Sequence, residues 1–128
     1  MTARLSPEKP PARTPQELAR RAGQLALEKQ AKDVLLLDLR DLSPVCDFFV
    51  IASAESEPQV KAIVDRVEAG LRELNERPWH VEGRGGRKWV LLDYVDFVIH
   101  VFQAETREVF LLERLWGDAP RETIDPAD

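Results

Sequence analysis

Four groups of residues have the types to do chemistry: a glycine-rich basic loop, a set of aspartates, a lone histidine and a lone cysteine. Glu82-Gly83-Arg84-Gly85-Gly86-Arg87-Lys88 has the composition of a phosphate loop. A Walker loop runs G-x-x-x-x-G-K-[ST] from a strand into a helix, so that backbone N–H groups face the phosphates. Here Trp89 follows Lys88 and a strand pattern follows Trp89, so a hairpin turn with solvated cations is the better reading. Asp93 and Asp96 flank one turn, and Asp38 and Asp47 stand at other strand ends. Gathered carboxylates can hold a metal or act as acid and base. Aspartate also ends strands because its side chain bonds to its own backbone in turns. No Gly-Ser followed by an Asp-x-Asp pair, as a nucleotide-transfer site needs, is present; Asp38-Leu39-Arg40 breaks that spacing.

His100 lies inside an apolar run and by alternation shares a face with Val98 and Phe102. A histidine in such a place is more often a hydrogen-bonded core residue than a ligand. His80 is distant and no His or Cys neighbour has metal-ligand spacing, so neither metal nor cofactor is expected. Cys46 precedes Asp47, whose charge raises a thiol pKa; it reads as a small buried residue. Ser43, Ser53 and Ser56 lie in no nucleophile motif. Trp79, Trp89 and Trp116 fall at element ends and Tyr94 in a turn, where aromatics either cap a core or anchor an interface. The residues alone leave those two roles open.

The elements that position these residues follow from periodicity. Thr14, Pro15 and Glu17 form a Thr-x-x-Glu capping box, and Leu18, Ala22, Leu25 and Ala26 share one face of a helix to about Lys32. Val34 to Leu39 and Phe48 to Ala52 are short, nearly continuous apolar runs, read as strands covered on both faces. The short link from Arg40 to Asp47 favours antiparallel pairing. Ser56 and Gln59 predict a second capping box. Val60, Ile63, Val64, Val67, Leu71 and Leu74 keep the helical period until Pro78. Trp79 to Val81, Trp89 to Leu92 and Phe97 to Phe102 read as strands, the last two joined by a tight turn over Asp93 to Asp96. A last helix is predicted from about Thr106 to Trp116, stopping at Gly117. The order α-β-β-α-β-β-β-α gives an α/β fold with a mixed sheet and helices packed on it.

With 128 residues and 44% hydrophobic composition, the chain suffices for one domain with a real core. It divides into a flexible Pro-rich arm over 1–13, an α/β domain over 14–117 and a flexible tail over 118–128. The net charge of −5 disfavours direct nucleic-acid binding and suits a basic protein partner. One cysteine excludes an intrachain disulfide, no apolar run reaches the ~20 residues of a membrane span, and Pro7, Glu8, Pro10 and Pro11 interrupt any signal-peptide core. A cytoplasmic protein that does not bind membranes is expected.

Dispersed blocks then resemble one family. Asp33-Val34 through Asp38, Cys46-Asp47-Phe48-Phe49-Val50-Ile51-Ala52, Val60-Lys61-Ala62-Ile63, Glu82-Gly83, Trp89 to Tyr94, Val98 to Phe102, Arg107-Glu108 and Leu112 to Trp116 occur in the order found in the ribosomal silencing factors (RsfS, or Iojap). The match covers about Pro15 to Trp116. It implies a mixed five-stranded sheet flanked by helices, nucleotidyltransferase-like without the catalytic residues. It implies no enzyme, but a factor that binds the large ribosomal subunit through ribosomal protein L-fourteen. Bound there, it sterically blocks joining with the small subunit and represses translation under nutrient limitation. A homodimer of the free protein is also implied. The matched positions that the resemblance offers for partner binding are Trp89, Asp93, Tyr94, Asp96, His100 and Trp116, with Glu82 and Arg107. A patch centred on Trp89 and Tyr94 would serve dimer and ribosome in turn. Two positions depart from the family's pattern: Ser53-Ala54-Glu55 replaces a glycine-containing turn, and Val95 precedes Asp96 where glycine is common. The competing functions are a nucleotide-binding or nucleotidyltransferase-like enzyme and a dimeric assembly adapter.

Overall fold

The computed structural model describes residues 13–127, so the arm expected over 1–13 lies outside it except for Arg13. Helix α1 spans Pro15–Leu27. Thr14 Oγ1 accepts from the Glu17 N–H at 3.1 Å and the Glu17 carboxylate accepts from the Thr14 N–H at 2.8 Å, the reciprocal box expected. The helix ends short of Lys32. Gln30 takes φ 65° and the Ala31 N–H returns to the Ala26 carbonyl, a left-handed termination.

Helix α2 spans Glu57–Arg72 and buries Val60, Ile63, Val64, Val67 and Leu71. Half of its expected capping box forms. Ser56 Oγ accepts from the Gln59 N–H, but the Gln59 side chain accepts from Glu55 and donates to the Lys29 and Gln30 carbonyls. Gln59 thereby satisfies carbonyls that the end of α1 leaves open.

Strands β1 (Lys32–Asp38), β2 (Phe48–Ala54), β3 (His80–Glu82), β4 (Trp89–Asp93), β5 (Phe97–Gln103) and β6 (Arg121–Thr123) form one mixed sheet. Its order is β3-β4-β5-β2-β1-β6. The β2–β5 pair is parallel; the rest, including β1–β2 as expected, are antiparallel. The sheet has six strands, not five. The sixth lies in the segment read as loose tail, where Ala119 and Ile124 are buried and the Ile124 N–H bonds the Val34 carbonyl. Pro120 and Pro126 flank this strand and so remove no ladder donor.

Alternation gives the sheet two faces. Val34, Leu36, Val50, Ala52, Val90, Leu92, Ile99 and Val101 form one core with α1 and α2. Leu37, Ile51, Val98 and Phe102 belong to a second, smaller cluster with Phe49, Trp89 and Leu91 at its margin. The expected last helix, which would cover that second face, is broken into α3 (Ala104–Phe110) and α4 (Leu112–Leu115) by Leu111 at φ 45°.

Candidate docking surface

His100 stands near the middle of the less covered face, opposite Leu91 on β4 and Ile51 on β2. Its Nδ1 accepts from the Trp89 indole N–H at 3.0 Å, so the ring is the Nε2–H tautomer when neutral. Burial pushes its pKa down to about 3, and Nε2 has no hydrogen-bond partner. Phe49 packs edge-on against the imidazole at 4.4 Å, and Trp116 meets Phe49 edge-on at 6.2 Å. These rings, with Leu91 and Val98, line a groove of about 430 Å³ whose other wall is the link Leu42-Ser43-Pro44-Val45-Cys46.

A second hollow, of about 240 Å³, adjoins it. Trp79 and Val95 line it together with Val45, Cys46, Asp93 and Val98, which also line the groove. Four side chains around the two hollows give large apolar surface to solvent: Val45 is 82% exposed, Trp79 75%, Val95 56% and Leu42 42%. Asp93 lines both hollows, and among the described residues no lysine or arginine lines either. Asp47 and Asp96 adjoin Cys46 and Val95 in the chain. An apolar centre with a polar margin and convergent aromatics is the anatomy of a protein interface.

The expected site residues separate into three groups. His100, Trp116 and Asp93 come together in the groove. Trp89 lies half-buried beside them, stacked on Phe102 at 4.8 Å and against Phe110 at 4.7 Å. Asp96 is exposed in the turn next to Val95, where its carbonyl accepts from the Asp47 N–H. The other three lie elsewhere. Tyr94 is buried in the core under α1 and α2, stacked flat on Phe97 at 5.0 Å, and burial raises its phenol pKa well above the usual range. The patch centred on Trp89 and Tyr94 therefore does not form: residues five apart along an alternating segment face opposite sides. Glu82, at the far end of β3, engages His80 at 2.7 Å. Arg107 is buried, donating to the Asp33 carbonyl, Ser53 Oγ and Glu113.

The catalytic alternatives have structural explanations. Asp38 pairs with Arg40 at 2.7 Å, which holds its carboxyl below the ordinary range. Asp93 Oδ1 accepts from the Val95 N–H at 2.8 Å and shapes the turn. Arg84 and Arg87 of the glycine-rich loop pair with Glu68 and Glu57 of α2. Burial, then Asp93 and Asp47, push the Cys46 thiol up to about 11, far from a reactive thiolate. Sequence reasoning missed Phe49, Leu91, Leu42, Val45 and Val95. The one available signal was Leu42 and Val45 flanking Ser43-Pro44, apolar residues in a link that has no core of its own.

The model of the family "Ribosomal silencing factor during starvation" matches residues 12–128. The chain belongs to the ribosomal silencing factor family. It is 39% identical to ribosomal silencing factor RsfS of Bacillus subtilis, over 77% of this chain and 83% of that protein. Identity to the RsfS protein of Halalkalibacterium halodurans is 38%, over 82% and 90% of the two chains. A solved crystal structure from Chromobacterium violaceum superposes with a TM-score of 0.79 at 30% identity, covering 82% of this chain and 88% of that one. Membership in this family makes the chain a regulator of translation and not an enzyme.

Proposed function

We propose that the chain docks on ribosomal protein L-fourteen of the large ribosomal subunit through the groove between Trp116 and the Leu42–Cys46 link. Bound there, it blocks joining of the small subunit. Ribosomal silencing is the general function of the family, whose members act at the large subunit. The observation that carries the more specific reading is the groove itself: an apolar hollow on the half-covered sheet face, with Asp93 at its edge and no cation lining it among the described residues. Such a surface suits a basic ribosomal protein that inserts an apolar side chain, while the net charge of −5 discourages adhesion to rRNA. Obstruction needs no chemistry. A domain seated on the subunit face fills space that the other subunit must enter, and nutrient limitation is when that repression is useful.

In the free chain the same apolar surface would pair two copies, so that a homodimer and the ribosome-bound state exclude each other. The site of action is the cytoplasm; no described helix is long and apolar enough to cross a membrane.

The test is co-sedimentation of the full chain with isolated large subunits, followed by addition of small subunits. Binding that prevents joining is expected, and Leu42→Asp, an exposed change that puts a charge on the groove wall, should weaken it at least tenfold. Failure to sediment with large subunits, or joining that proceeds regardless, refutes the reading. Light scattering over a wide concentration range tests the dimer.

A further inference from the structure

The turn between β4 and β5 holds Val95 at φ 75°. This is the left-handed region, where a β-branched side chain crowds its own backbone and where glycine or asparagine sits at little cost. Nothing in the turn's hydrogen bonding calls for valine. Asp93 Oδ1 accepts from the Val95 N–H, the Tyr94 N–H donates to the Phe97 carbonyl, and the Asp96 N–H donates to the Tyr94 carbonyl. Any residue but proline could supply the one backbone group that Val95 contributes. Burial does not compensate either, since Val95 is 56% exposed. The domain thus holds a strained residue whose burial returns little stability to it. Strain kept without a structural return points to function.

The strained side chain stands in the second hollow, beside exposed Trp79 and Val45, and that hollow shares Val45, Cys46, Asp93 and Val98 with the groove. We propose that Val95 is a contact residue of the docking surface, and that with Val45 and Trp79 it receives a second apolar side chain of the same basic ribosomal protein. The occupant is set by charge and continuity. The hollow is lined by one ionisable carboxylate, Asp93, and by no lysine or arginine among the described residues, and it shares four lining residues with the groove. The proposal rests on the groove being the docking site.

Val95→Gly and Val95→Asn in the full chain test it, with Leu42→Asp as the probe of the groove. Melting temperature and affinity for isolated large subunits are measured for each. Relief of the left-handed strain should raise the melting temperature by roughly 2–5 °C. Loss of the valine contact should weaken binding roughly tenfold. A variant that is more stable yet binds more weakly is an outcome that general destabilisation cannot produce. Unchanged or tighter binding, with Leu42→Asp still defective, overturns the Val95 contact and leaves the docking reading intact. A melting temperature that does not rise removes the strain premise and the proposal with it. If the unmodified chain does not bind large subunits, the docking reading falls and takes this inference with it.

Discussion

Replacing Arg107 by methionine tests how the groove wall is held. Arg107 Nη1 donates to the Asp33 carbonyl and to Ser53 Oγ, each at 2.7 Å, and Nε donates to Glu113 at 3.1 Å. One buried cation therefore ties α3 to the start of β1, to the end of β2 and to α4. Methionine preserves much of the apolar stem but leaves the Glu113 carboxylate, 79% buried, without its partner. Breaking a buried pair by removing one member costs about 3–5 kcal/mol; the partial exposure of Glu113 puts the expectation at the lower end, about 3 kcal/mol. Against a total of roughly 5–15 kcal/mol this is large. Urea unfolding should show the loss as a lower midpoint at unchanged slope. Glu113→Gln alone should cost about 1 kcal/mol, because a neutral amide still accepts from the guanidinium. In the double variant no charge is left unpaired, so stability should recover by 1 kcal/mol or more relative to Arg107→Met, as coupled neighbours require. A loss under about 1 kcal/mol for Arg107→Met, or strict additivity in the double variant, refutes this role of Arg107 in tying α3 to β1, β2 and α4.

Two further predictions follow from burial. His100 stays neutral in the folded chain down to about pH 3, whereas an unfolded histidine protonates near 6.5, so its contribution is complete above 6.5 and shrinks as pH falls. Stability should drop by about 1.6 kcal/mol between pH 6.5 and 5, on a slope that approaches about 1.4 kcal/mol per unit. That window lies above the lowered carboxyls of Glu17, Glu28, Asp38, Glu55 and Glu122. Urea midpoints of the unmodified chain and His100→Asn at the two pH values decide it, and equal pH dependence counts against a neutral buried imidazole. Gly70→Ala places a methyl group 2.5 Å from Leu25 Cδ1 at the α1–α2 contact, and should destabilise by about 1–3 kcal/mol despite alanine's better helix propensity. A neutral or raised melting temperature would show that the helices simply move apart.

The parts legible in the sequence are those whose signal is local. Thr14, Pro15 and Glu17 announce α1 because a helix start must satisfy its own N–H groups nearby. The apolar spacing from Val60 to Leu71 announces α2 because one helix face must be dry. Strand β6 was not legible: Arg121, Glu122 and Thr123 are all exposed, and they form a strand because buried Ala119 and Ile124 hold both ends beside the open edge of β1. In the candidate site, His100, Asp93 and Trp116 were legible by type and resemblance, while Tyr94 was misplaced although alternation from Trp89 already put it on the opposite face. Arg107 read as a surface contact because nothing local reveals that three acceptors from distant elements converge on it.

Leu111 connects these failures to the function. Leucine has no preference for φ 45°, so the pattern from about Thr106 to Trp116 reads as one helix. Unbroken from the Ala104 start of α3 to Trp116, such a helix would run about 20 Å at 1.5 Å per residue, long enough to lie across several strands spaced about 4.8 Å apart. The chain turns instead at Leu111, where Arg107 anchors both sides of the break: its carbonyl accepts from the Leu111 N–H and its side chain holds Glu113. Leu112 and Trp116 then pack back on the second face, and Phe110 reaches Trp89 at its margin. The result is a sheet with two helices on one side and a groove on the other, its floor His100 and Phe49 and its wall Trp116. A surface that resists aggregation yet can be covered by a partner has to be small, apolar and edged with charge. The break at Leu111 is what keeps this one small without closing it.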